Sequence, residues 1–270
     1  MGTSQSSKGP GANVSLVPPW ADDLPTGDGA PPPAARDGDG TSDPGTPLVE
    51  MAPSNRFGSA RRQLGLFMQG RGSAYLRSGI GRYVASGYGG SRTMARRMSA
   101  TSSTAARLSS ALDPNGANPA LDRAILAGRS VDEVLDALVE AVQPHDGTQD
   151  AESSRESIRE AMADLLEAYP SVDLFDLSEE QRQFVVEKYA ANDVCRRFEL
   201  DMGRQMVTKA PNPTIALKRM QEAKEYIGAV VAQAFADLAA KGQRATAEKV
   251  RATVNAAFEE AFRVFEGHIK

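Results

Sequence analysis

Between Arg56 and Leu112 the chain carries ten arginines and not one Asp, Glu or Lys. A solvated helix face normally mixes both signs, so a block of net charge +10 must find anions somewhere. Three sources are open: phosphates, the acidic side chains of a partner, or acids elsewhere in the same chain. The flanking segments have the opposite sign. Residues 1–55 set Lys8 and Arg36 against seven acids, a net of −5, and residues 113–270 set 19 basic against 28 acidic side chains, a net of −9. The near-neutral total of −4 therefore conceals three segments, 1–55, 56–112 and 113–270.

The first segment holds ten prolines and eight glycines, including Pro31–Pro33 and Asp37-Gly38-Asp39-Gly40. It has no helical or strand period, so it reads as a disordered tail that is unable to form a core of its own. One apolar island interrupts it, Val14-Ser15-Leu16-Val17-Pro18-Pro19-Trp20, in which proline restricts the backbone to extended conformations. Two uses fit such an island: docking into a groove of another protein, through Val17, Pro18, Pro19 and Trp20, or contact with the chain's own folded part.

The arginine block contains nine glycines and no proline, with aromatic and basic residues interleaved. Arg56, Phe57, Arg61, Arg62, Arg82, Tyr83, Tyr88, Arg96 and Arg97 are its candidate partner-binding residues. Short helices are expected at 59–69 and 73–85 and a longer one at 91–111. Interior glycine weakens each by about 1 kcal/mol per position relative to alanine, so order is expected to be marginal alone and better against a partner. Arg with Gly and aromatic residues also suits phosphate backbones and stacked bases. Nucleic acid is thus the alternative partner, disfavoured by a pI near 5.4.

From Asp113 onward every signal is helical. Asn118-Pro119 opens a helix that Gly128 stops. Capping boxes at Ser130–Glu133, Ser153–Glu156 and Ser178–Gln181 open three more, the last running to about 209. Helices over roughly 213–240 and 245–266 complete an all-α bundle preceded by the disordered tail and the partly helical Arg/Gly segment.

Catalytic signatures are missing from this picture. There is no phosphate-binding G-x-x-x-x-G-K-[ST] loop, no H-E-x-x-H and no G-x-S-x-G elbow. Gly79-Ile80-Gly81 and Gly87-Tyr88-Gly89-Gly90 read as flexible turns, since no strand precedes them and no lysine follows. Cys195 is the only cysteine and the histidines are His145 and His268, too few for a zinc site or a disulfide. Cys195 reads as a core residue of the long helix. No catalytic residue, metal or cofactor is expected, and the chain reads as a non-enzymatic, soluble, cytoplasmic protein without a membrane segment or secretory signal.

One group needs no pocket of its own. Removal of Met1 would leave Gly2 as an α-amine of pKa about 7.7–8.0, so a useful fraction is free nucleophile at neutral pH. With no Cβ and some fifty residues of tail behind it, this amine can thread into another enzyme's active site as an acyl acceptor. The pattern M-G-x-x-x-[ST] also satisfies the myristoylation rule, but no polybasic second signal follows in the acidic tail.

The segments MGTSQSSKGPG, VPPW, RFGSARRQLG and GIGRYVASGYGGSRTMARRM resemble QatB, a component of the bacterial Qat anti-phage defence system with no assigned enzymatic motif. The resemblance covers roughly residues 1–20 and 56–100. It implies three partners: an ATPase (QatA), a QueC-like enzyme resembling the 7-cyano-7-deazaguanine synthetase (QatC) and a TatD-like nuclease (QatD). It further implies that the QueC-like partner conjugates a deazaguanine to Gly2, with Thr3, Ser4, Gln5, Ser6 and Ser7 as the recognition sequence.

Overall fold

A computed structural model describes residues 15–17, 52–114, 128–243, 246 and 249–269. Among these residues the secondary structure is helical, with no strand. The elements are α1 (Gly58–Met68), α2 (Ser73–Arg82), a π-helical turn (Tyr83–Gly87), α3 (Ser91–Arg97) and α4 (Ser99–Ala111). They continue with α5 (Val131–Val142), α6 (Gln149–Ala168), α7 (Glu179–Phe198), a second π-helical turn (Glu199–Gly203), α8 (Arg204–Lys209), α9 (Pro213–Ala240) and α10 (Val250–Glu266). The helix expected from Asn118-Pro119 up to its stop at Gly128 falls on residues 118–127, outside the described residues.

Local chemistry explains most of the helix starts. Ser130 accepts from the Glu133 amide at 3.3 Å while Glu133 Oε2 takes the Ser130 amide at 2.9 Å. Ser178 and Gln181 repeat this reciprocal pair. At α9, Asn212 Oδ1 accepts from the Ile215 amide, with Pro213 in the first turn.

The box at Ser153–Glu156 does not start a helix. Thr148 caps α6 five residues before Ser153, accepting from the Ala151 amide at 3.1 Å, and Asp146 in turn holds the Thr148 amide. Ser154 is buried inside α6, where its hydroxyl meets that of Tyr189 at 2.7 Å. The residue types of a capping box were present, but an earlier cap was available. The expected helix 91–111 is also divided, at Met98, which ends α3 and precedes α4.

The arginine block and the later helices share one hydrophobic core, which runs from Phe57 to Phe265. Helix α10 lies at its centre, packed against α2, α3, α4 and α9. Its Val254, Ala257, Phe258, Ala261 and Phe262 are fully buried. The partner that orders the Arg/Gly stretch is therefore the chain's own helices, and burial of this apolar face supplies the stability its glycines withhold.

The glycines have a different role from the flexible turns expected of them. Gly79 and Gly81 lie inside α2, and Gly87 in the π turn, all buried. A Cβ on Gly79 would stand 2.7 Å from the Leu64 side chain, and one on Gly81 would stand 2.5 Å from the Phe265 carbonyl oxygen. These positions let α2 approach α1 and α10 at backbone distance. Of these two motifs, Gly89 and Gly90, at φ 75° and 105°, do make a turn that favours glycine for its backbone. Accordingly, Gly81→Ala is expected to lose roughly 1–3 kcal/mol by overpacking. Gly228→Ala in α9, where a Cβ meets nothing within 4 Å, should gain up to about 1 kcal/mol. Urea denaturation of both variants reads the two signs.

Candidate functional site: an arginine and aromatic face joined to the long helix

The two π-helical turns meet. Tyr83 opens the first and Tyr88 follows it directly, while Asp201 lies in the middle of the second. Both tyrosine hydroxyls donate to Asp201 Oδ2, that of Tyr83 at 2.7 Å and that of Tyr88 through a very short bond. All three side chains are buried. Burial, and then the charge of Asp201, raise the pKa of both tyrosines, so their hydroxyls stay protonated donors. A π turn widens a helix by one residue and re-aims its side chains. Here two such turns bring the donors and the acceptor together.

Around this carboxylate the rings pack edge-on and stacked. Phe57 stacks on Tyr83 at 5.6 Å between centroids and meets Tyr88 edge-on, and Tyr83 meets Phe198 of α7 edge-on at 5.4 Å. Arginines cover the rings. The Arg56 guanidinium lies 4.5 Å from the Phe57 centroid and 5.2 Å from that of Tyr88, Arg61 lies over Phe57, and Arg97 lies 5.6 Å from the Tyr88 centroid. Arg56 is 6% exposed, and among the described residues none of its guanidinium nitrogens has a hydrogen-bond partner. Burial pulls its pKa down, Tyr88 and Asp201 oppose that, and neighbouring Arg97 adds to it.

On the side of α7, Arg197 pairs with Asp150 at 2.9 Å. Burial disfavours its charge, but Tyr88 and Asp150 outweigh that and its pKa is raised. The space bounded by Tyr88, Met94, Arg97, Met98 and Arg197 has no room even for a water molecule, far short of the ~300 Å³ of a small-molecule site. The arrangement suits contact with a chain segment rather than enclosure of a small molecule.

Such a segment is present. Ser15–Val17 of the N-terminal island is seated on the folded part: Leu16 is 2% exposed, and its carbonyl accepts from Arg97 Nη1 at 3.2 Å. Of the two uses open to the island, contact with the chain's own fold is the one seen for these residues. Val17 is half-buried beside Leu16, whereas Pro18, Pro19 and Trp20 lie outside the described residues, as do Gly2, Thr3, Ser4, Gln5, Ser6 and Ser7.

The candidate residues of the arginine block thus divide. Arg56, Phe57, Tyr83 and Tyr88 are buried and build the site from within. Arg61, Arg82 and Arg97 are half-buried, and Arg62 and Arg96 are exposed. Asp201, Arg197 and Leu16 were not among the candidates. For Asp201 a signal existed: it falls three residues after Phe198 and next to Met202, a carboxylate on the apolar side of its helix.

Cys195 is buried in α7 and its thiol faces the Lys224 carbonyl of α9. Burial, with Glu199 nearby, pushes its pKa up to about 12. Among the described residues no three His, Cys, Asp or Glu side chains cluster as metal ligands, and no helix is long and apolar enough to cross a membrane.

Two outcomes are expected. Asp201→Ala leaves two buried hydroxyls without an acceptor and should cost about 3 kcal/mol, whereas Tyr83→Phe should cost about 1–2 kcal/mol in the wild-type chain and almost nothing in the Asp201→Ala background. A double-mutant cycle by chemical denaturation checks this. Only the thiolate reacts, so Cys195 in the native chain should be alkylated by iodoacetamide at pH 8 at least a hundredfold more slowly than in urea, as mass spectrometry would follow.

No curated protein and no solved structure matches the chain. Residues 89–265, about two thirds of its length, match the family of the Qat anti-phage system associated protein QatB. That match begins directly after Tyr88 and extends to Phe265 in the last turn of α10, so it takes in Arg97, Arg197, Phe198 and Asp201. The chain belongs to the QatB family of the Qat anti-phage defence system.

Proposed function

We propose that this chain serves anti-phage defence without a reaction centre of its own, as a protein substrate and scaffold. Its Gly2 amine is the acceptor for deazaguanine conjugation by the QueC-like partner QatC, and its helical body holds other system components, the ATPase QatA and the TatD-like nuclease QatD. What carries the reading is the combination of family membership with a glycine at position 2, directly after Met1.

The step balances as an ordinary amide synthesis. The partner activates a deazaguanine carboxylate with ATP, forming an acyl adenylate and releasing pyrophosphate. The unprotonated Gly2 nitrogen attacks the acyl carbon, the C–N bond forms, AMP leaves with the C–O electron pair, and the nitrogen gives up a proton. Glycine suits this acceptor role because its amine has no Cβ beside it and titrates near neutrality. The chain supplies the nucleophile and its presentation, and the partner supplies the activation.

Nucleic-acid binding through the arginine block has less support. Arg56, Arg61 and Arg97 lie over aromatic rings of the fold, Arg97 also donates to Leu16, and Arg92 stands 3.6 Å from Glu259. These contacts take up cations that a phosphate backbone would require.

Intact mass spectrometry of the chain, expressed with and without the QueC-like partner, tests the proposal. Co-expression should add one deazaguanine acyl group at Gly2, and Gly2→Pro should carry none while melting at the same temperature. An unmodified Gly2 under co-expression, or full phage resistance with Gly2→Pro, would overturn it.

A further inference from the structure

Two exposed charge surpluses of opposite sign lie on separate groups of helices. Helix α1 packs on α2, α8 and α9, whereas α5 packs on α4 and α6, and α6 on α5 and α7. Lys209 of α8 lies against α1, its Cγ 3.5 Å from the point where a Cβ on Gly65 would stand, and Arg219 of α9 comes within 4.0 Å of the same point on Gly70. Arg62 is one turn before Gly65, and Arg71 follows the end of α1. With Arg204 of α8 and Lys218 of α9 these residues make a basic corner where the three helices meet. Glu222 takes up Arg219 at 2.7 Å. Arg62, Arg71, Arg204, Lys209 and Lys218 are exposed, and among the described residues none of their side chains forms a hydrogen bond or an ion pair. The end of α1 does not need them as caps, because the amides of Gly70 and Arg71 already hold the Phe67 and Leu66 carbonyls at 2.9 and 3.1 Å.

Helices α5 and α6 form the opposite pole. Arg159 pairs with Asp136 at 3.0 Å and Arg155 with Glu140 at 2.7 Å, which sets the two helices antiparallel. Residues 129–168 hold eleven acids against Arg129, Arg155 and Arg159. Lys188, Arg196 and Arg197 of α7 reach across to Asp164, Glu160 and Asp150, so six cations face eleven acids and a surplus of five remains. In the antiparallel register Asp132 and Glu167 share one end of the pair, where α5 begins and α6 finishes. Both are exposed, and among the described residues neither side chain has a hydrogen bond or an ion pair.

Each pole also has an apolar element. Val131, 49% exposed, adjoins Asp132, while Val207 at 51% and Leu217 at 73% belong to the same helices as Lys209 and Lys218. Exposed apolar side chains within a charged rim are the anatomy of a protein interface. A phosphate backbone would use the cations but leave Leu217 without purpose.

We propose that the basic corner docks the acidic end of α5 and α6 from a second copy of this chain, with Val207 and Leu217 meeting Val131 and the free cations meeting Asp132 and Glu167. The packing of one chain does not bring its two poles together, so the contact is heterologous, one pole of each copy against the other pole of the next. Exposed charges act over about a Debye length, ~10 Å at 0.1 M salt, which makes the association dependent on ionic strength. It is independent of the role proposed for Gly2.

Sedimentation velocity of the full chain over a concentration series tests this. In ~50 mM salt the weight-average mass should rise with concentration above that of one chain, and in ~500 mM salt it should return to that of one chain. Lys209→Glu with Lys218→Glu should weaken association about tenfold or more, and so should Asp132→Lys with Glu167→Lys. All four positions are exposed, and both variants should keep the helical circular dichroism of the wild type. Mixed in equal amounts, each variant supplies the pole the other lacks, and association should return to within about threefold of the wild type. A wild-type chain that stays monomeric at low salt overturns the proposal, as does a mixture that stays monomeric or a variant that self-associates like the wild type. If Lys209→Glu with Lys218→Glu abolishes binding of a DNA oligonucleotide and leaves self-association intact, the corner serves nucleic acid and the proposal falls.

Discussion

One buried carboxylate joins the two parts of this chain that differ most in composition. Asp201 belongs to the acidic, conventionally helical half, and Tyr83 and Tyr88 belong to the arginine block. A buried carboxylate without donors would cost several kcal/mol, and two buried hydroxyls without an acceptor would cost about as much. Each side is thus tolerable only in the presence of the other. The ring stack of Phe57, Tyr83, Tyr88 and Phe198 forms around that mutual requirement and excludes water from it. Because hydrogen bonds are directional, the network also specifies register, holding the first π turn against the second.

The same network accounts for how a block of ten arginines folds without acids of its own. Ring faces carry negative charge density, and the guanidinium, planar and weakly hydrated, is well matched to them. Arg56 and Arg97 share Tyr88, Arg219 of α9 lies over Phe67 of α1, and carbonyl and carboxylate groups of other segments take further cations. The glycines make the arrangement sterically feasible. Without side chains, Gly79 and Gly81 bring α2 close enough to α1 and α10 for the rings to meet. Arginine, glycine and tyrosine, which in sequence resemble a nucleic-acid-binding composition, here act as the mortar between helices.

Seating Leu16 on this face links the fold to its N-terminal extension. Its attachment rests on burial of the Leu16 side chain and on the Arg97 guanidinium, which reaches the Leu16 carbonyl while lying over the Tyr88 ring.

By itself the sequence determined what is encoded locally. Helices with a 3.6-residue apolar period, the caps at Ser130 and Ser178, the core position of Cys195 and the absence of strand patterning all depend on residues within a few positions of one another. The family was also legible there, although of the residues that carried the resemblance the family match takes in only 89–100. Long-range pairing was left to the tertiary structure. Thr148 displaced Ser153 as a cap because the chain upstream offered an earlier start. Glycines that read as turns became close-packing surfaces because another helix, distant in sequence, approaches them. Asp201 and Leu16 acquired their roles from partners more than 80 residues away. Periodicity and capping are properties of a segment, whereas counter-charges and docking depend on which segments meet, and only burial of the shared core decides that.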